Sequence, residues 1–262
     1  MDILESDPNL GALLREGTLM DFVKAHLTGQ ISFNSMVVCD VHRAGQRMRM
    51  VDYAIAQGHA YHAEYMIEHG APLTLDLNDE LARDNSGTLE GNWYTTLGYA
   101  LQYSRCGILH ALFTHRGDEI DVTRVAVFMG RAAGQRYTCS TYSGIQYALL
   151  HGERDSLKIM LSEKLIPSRL LDPTVVALFS KARMIWDSRY EKCEKLAKRY
   201  YRQAKQREDG ARAALWCCRK GVGGPWLDVW FHLVPHIALT EVEHEKEKQQ
   251  GGGGRRGKRQ LE

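Results

Sequence analysis

Residues 58–72, "GHAYHAEYMIEHGAP", gather His59, His62 and His69 with Tyr61, Tyr65, Glu64 and Glu68. Two imidazoles three residues apart on a helix share a face, so His59 and His62 have the spacing of a two-ligand metal pair. A protein zinc site needs a third and usually a fourth ligand, and none follows at zinc-like spacing. His232 and His236 stand four apart, but Pro235 between them disfavours a regular helix and their neighbours are apolar. No metal and no cofactor is expected.

Other catalytic signatures fail in turn. The chain has no G-x-S-x-G elbow, no H-E-x-x-H, no dinucleotide-type glycine fingerprint between a strand and a helix, and no kinase signature set. Gly252, Gly257 and Lys258 spell most of a phosphate loop, yet Arg259 stands where magnesium would need a hydroxyl. Cys39, Cys106, Cys139, Cys193, Cys217 and Cys218 form no C-x-x-C pair, which argues for reduced, mostly buried thiols. The reading is of a protein that is not an enzyme.

The 262 residues are 44% hydrophobic, enough for a sizeable core. No apolar run approaches the eighteen residues of a membrane span, and the N-terminus carries acids where a secretory signal would carry lysines. The expected compartment is the cytoplasm or the nucleus. The net charge of +2 conceals a basic stretch: residues 181–220 hold thirteen Lys/Arg against five Asp/Glu. Such a stretch suits a solvated helix face first and nucleic acid second.

Positioning all of this requires elements, and the sequence repeats itself. Aligned on a small residue that closes a first helix, "NLGALLREG" ends at Gly17, "VDYAIAQG" at Gly58, "LGYALQYS" at Ser104 and "IQYALLHG" at Gly152. Three segments share Tyr-Ala at one offset: Tyr53-Ala54, Tyr99-Ala100 and Tyr147-Ala148. Apolar pairs follow at a fixed distance, Met66-Ile67, Leu112-Phe113 and Met160-Leu161. A helix-turn-helix unit recurs, with alanines permitting close helix approach and the apolar pair facing the next unit. Isolated units cannot bury their faces, so stacking is expected.

These residues resemble the ankyrin-repeat family. Gly58-His59 falls on its Gly-His, Met66-Ile67 on its Leu-Leu and Gly70-Ala71 on its terminal Gly-Ala; "TTLGYAL" (95–101) and "SGIQYAL" (143–149) are similar to its first-helix signature. The resemblance makes His59 a turn histidine that hydrogen-bonds the hairpin backbone. His69 would sit in the last turn of the second helix, where a positive ring suits the helix dipole. The chain departs from the pattern at Arg116-Gly117, slipped by one, and at Lys164-Leu165, which replaces Gly-Ala. Spacings of 41, 46 and 48 residues also exceed the family period of about 33, whereas a HEAT- or armadillo-like repeat fits the period better and the motif worse. The excess must form long fingers or an additional helix.

The expected architecture is all-α: an ankyrin-like solenoid over 1–173, a long basic capping helix over 174–210, a C-terminal helical pair over 211–245 and a flexible Gly/basic tail over 246–262. Within the pair, "GPWLDVWFHLVPHI" resembles the truncated F-box-like element of some viral ankyrin proteins. That resemblance implies that Pro225, Leu227, Asp228, Val229 and Trp230 dock a Skp-type ubiquitin-ligase subunit. The functional expectation is a monomeric, non-catalytic adaptor that binds a protein partner through loop residues Trp93, Tyr94, Arg131, Arg136 and Tyr137, since over-long connections tend to carry function. A ubiquitin-ligase adaptor and nucleic-acid binding through 181–220 are the alternatives.

Overall fold

A computed structural model describes residues 13–38, 47–77, 92–130, 140–164, 166–181 and 188–219. Its helices are α1 (Leu19–Leu27), α2 (Met50–Gln57), α3 (Ala60–Glu68), α4 (Thr96–Gln102), α5 (Cys106–Arg116), α6 (Gly144–His151), α7 (Arg154–Glu163), α8 (Pro173–Lys181) and α9 (Ser188–Arg219). Strands β1 (Met36–Val38) and β2 (Arg47–Arg49) pair antiparallel ahead of α2. Strands β3 (Asn92–Tyr94), β4 (Val125–Met129) and β5 (Ser140–Ser143) form an antiparallel sheet with β4 in the middle. The chain divides into two compact units, Met1–Lys198 and Arg199–Glu262, and the division falls inside α9.

Three helical hairpins, α2–α3, α4–α5 and α6–α7, repeat one turn. The residue after the first helix takes a left-handed conformation at Gly58 (φ 86°), Ser104 (φ 50°) and Gly152 (φ 69°). The next amide then reaches back to the alanine of the Tyr-Ala pair: His59 N–H to Ala54 O, Arg105 N–H to Ala100 O and Glu153 N–H to Ala148 O, each at 2.9 Å. This is the 6→1 bond of a left-handed helix stop, which glycine enters without strain and serine does not. Gly17, the alignment point of the first segment, has no positive φ, and the chain enters α1 there through a Thr18/Asp21 capping box.

Packing follows the repeat. First helices stack in the order α2, α4, α6, α8, and second helices in the order α1, α3, α5, α7. Ala54, Ala100 and Ala148 are fully buried in the first row. Met66-Ile67, Leu112-Phe113 and Met160-Leu161 are buried in the second, each large side chain stabilising by about 1.5–3 kcal/mol.

Two expectations need correction. The fold is mostly helical but not all-α, because the long connections carry two small sheets; their β-branched and aromatic residues, "VAVFM" in β4 above all, favour a pleated, half-buried surface. Of the long helix expected over 174–209, the described parts are helical, α8 to Lys181 and α9 from Ser188, with residues 182–187 outside the described residues; α8 packs on α6 as the next member of the first row. Gly210 does not end a helix: α9 runs through it to Arg219, across the boundary expected at 210/211. Residues 220–262, with the expected F-box-like element and tail, lie outside the described residues.

Candidate partner-binding face at the finger base

The over-long connection between α3 and α4 returns through β3, and that between α5 and α6 forms the β4–β5 finger. Trp93 pairs with Phe128 and Tyr94 with Val127 across β3 and β4. This corrects the placement of Trp93 and Tyr94 as exposed loop residues: they are strand residues, 1% and 9% exposed, and the Tyr94 ring packs 5.1 Å from Tyr99 of α4. Tertiary packing overrides the polar context in which the two aromatics sit. They stiffen the finger's base. Arg131, Arg136 and Tyr137 fall in the β4–β5 connection and lie outside the described residues, as do Pro225, Leu227, Val229 and Trp230.

The base is fixed by main-chain contacts. Thr95 caps α4 by accepting the Gly98 N–H at 3.1 Å, while the Thr95 amide donates to Ala126 O of β4 at 2.9 Å. Gly98 makes this approach feasible, since a Cβ there would lie 2.2 Å from Ala126 O. One residue along, Thr96 N–H donates to Thr74 O (2.9 Å), and Thr74 N–H returns to the Thr96 hydroxyl (2.8 Å). Both hydroxyls donate at 2.6 Å to the two carboxylate oxygens of Asp52, which is fully buried on α2. The carboxylate thus ties three sequence-distant segments together, and a buried charge is tolerated only when so satisfied.

Beside β4 lies a hollow of about 60 Å³, bordered by Thr74, Thr95, Leu97, Glu119, Asp121 and Val125. Leu75 and Val125 at its lip are 36% and 42% exposed. The Glu119 carboxyl is held below its ordinary range by the Arg116 guanidinium, and Asp121 by the Thr123 hydroxyl, which donates at 2.6 Å. Both carboxylates are charged near neutrality and already engaged.

A device that the sequence reading missed holds successive hairpins in line. Arg116 Nη1 donates to Ala71 O at 2.7 Å, and Lys164 Nζ donates to Gly117 O. Each cation stands twelve residues after its left-handed turn residue and grips the carbonyl thirteen residues after the preceding one. Both departures from the repeat motif, Arg116-Gly117 and Lys164-Leu165, fall at this clasp, so the signal was present as a mismatch. Cations also suit the negative end of a helix.

The histidines lie on the opposite row. His59 makes no side-chain cap hydrogen bond, contrary to its expected turn role; its ring faces His62 at 5.7 Å. His69 caps the C-terminus of α3, with Nδ1 2.8 Å from Tyr65 O. No group of three or more candidate ligands that could hold a metal occurs among the described residues. Burial pushes the Cys193 thiol up to about 11, leaving it unreactive near neutrality. Among the described residues no helix is long and apolar enough to cross a membrane.

No protein-family model, curated protein or solved structure matches this chain.

Proposed function

We propose that the chain is a non-catalytic protein-protein interaction adaptor built on ankyrin-like repeats, and that it grips its partner with the finger-bearing side of the stack. One observation carries this reading: three hairpins share the same left-handed turn and alanine acceptor, and strands from the two connections between them pair in one sheet, β3–β4–β5. Regular stacking offers an extended surface, and loops on a rigid scaffold are where recognition residues concentrate. In this reading Arg131, Arg136 and Tyr137, in the β4–β5 connection, make the contact, because arginine and tyrosine are enriched among interface anchors. Trp93 and Tyr94 act indirectly, by holding the base.

The test is affinity capture with quantitative mass spectrometry, comparing the wild-type chain with a triple alanine variant at 131, 136 and 137. Selective loss of captured proteins, with an unchanged thermal midpoint, supports the reading. Unchanged capture removes the finger from the account.

A further inference from the structure

Among the described residues, the seam between α1 and α3 carries a ring cluster that the seams from α3 to α5 and from α5 to α7 do not show. Phe22, His26 and Phe33 meet His62, Tyr65 and His69 there. Phe22 lies edge-on to His62 at 5.2 Å, His26 stacks on Phe33 at 3.9 Å and reaches Tyr65 Oη at 3.1 Å, and Tyr65 lies over His69 at 4.0 Å. At its centre His62 is 9% exposed and has a buried Nε2 without a hydrogen-bond partner. Another imidazole, His59, lies with its ring 5.7 Å away.

We propose that this seam is an acid-sensitive joint: a proton on His62 releases α1 from α3 while the hairpins beyond stay folded. A second proton would put a charge on a buried ring whose Nε2 has no partner, and the Thr18 backbone, which favours the charged form, weighs less than burial. The surroundings bear this out element by element. On α1, Asp21 is turned to the Thr18 cap, Lys24 brings like charge and His26 is engaged with Tyr65. On α2, Asp52 is held by Thr74 and Thr96. On α5, the Arg105 guanidinium lies against Gly58, Arg116 is bound to Glu119 and Ala71 O, and His110 and His115 complete the titratable set with Cys106. On α3 itself, Glu64 lies beside Gly107, Glu68 is exposed in the last turn, and Tyr61, Tyr65 and His69 are the other titrating groups. No carboxylate pairs with His59 or His62 among the described residues.

Burial holds both rings below the ordinary histidine range, and His59 lowers His62 further. The sign follows. The unfolded or released state takes the proton first, so cohesion of the seam is complete above a pH of about 6.5 and is lost as pH falls toward the folded value. Each unit of depression corresponds to about tenfold in the closed-to-open ratio.

The experiment is hydrogen exchange on the full chain between pH 7.5 and 5, corrected for intrinsic rates, together with an NMR titration of the His62 ring. Protection of α1 amides should fall on acidification, on the order of tenfold per unit of depression, while α6 and α7 keep theirs. His62→Phe and His62→Gln, which keep bulk or hydrogen bonding without a titrating ring, should flatten that response. The proposal is overturned if α1 protection is independent of pH, if α1 and α7 lose protection together, if a folded variant keeps the response, or if His62 titrates at or above the free-histidine value. The wild-type titration decides the matter even if neither variant folds.

Discussion

The first seam of the stack and the two that follow are built from different chemistry on one register. Four residues after the turn stand His62, Ile108 and Ser156 in successive hairpins, all buried. Between α1 and α3 the contact is a lattice of aromatic and imidazole rings. From α3 to α5 and from α5 to α7 the buried residues Met66, Ile67, Leu112, Phe113, Met160 and Leu161 supply an apolar contact finished by the Arg116 and Lys164 clasps. A repeat scaffold fixes where a side chain points, not what it must be. One seam is therefore free to respond to protons while its neighbours hold.

Ways to break that contrast run from large to small. Leu112→Ala, in the seam between α3 and α5, should cost about 2–5 kcal/mol in chemical denaturation, since Leu112 is fully buried. Gly98→Ala should cost about 1–3 kcal/mol and detach β4 from α4, because the added methyl meets the Ala126 carbonyl; loss of exchange protection in β4 alone would mark the site. Arg116→Met, which keeps the aliphatic stem and removes the donor, should cost about 1–2 kcal/mol and loosen the seam between α3 and α5 without altering α1. The smallest effect sharpens the comparison of turns. Ser104→Gly should stabilise by under about 1 kcal/mol, relieving the one non-glycine positive φ among the described residues, whereas Gly152→Ala should destabilise by about 1 kcal/mol. Thermal midpoints of the two variants moving in the same direction would contradict this account of the turn.

Much of the hairpin geometry was legible because it rests on local residues. The Tyr-Ala offset marked the helix that supplies the turn's acceptor, and Gly58 and Gly152 marked the left-handed stop. Ser104 was legible only by register, since nothing in a lone serine announces a positive φ. The fingers were not legible: β3 is three residues long, and Trp93-Tyr94 looks like an exposed loop pair until β4, over thirty residues on, supplies its partner. Strand pairing of that reach leaves no periodicity in so short a segment. The buried Asp52 passed unnoticed for the same reason, because its partners at 74 and 96 are remote in sequence. The clasps were visible only as failures of a motif.

The shared backbone contacts at Thr95, Gly98 and Ala126 bear on how such a chain varies. Where the root of a projection is locked main chain to main chain, its far end can lengthen at the cost of loop closure alone, about 0.6 kcal/mol for each doubling. Spacings well above 33 residues then carry little thermodynamic burden. Reach toward a partner can change by insertion while the helices beneath keep their seats.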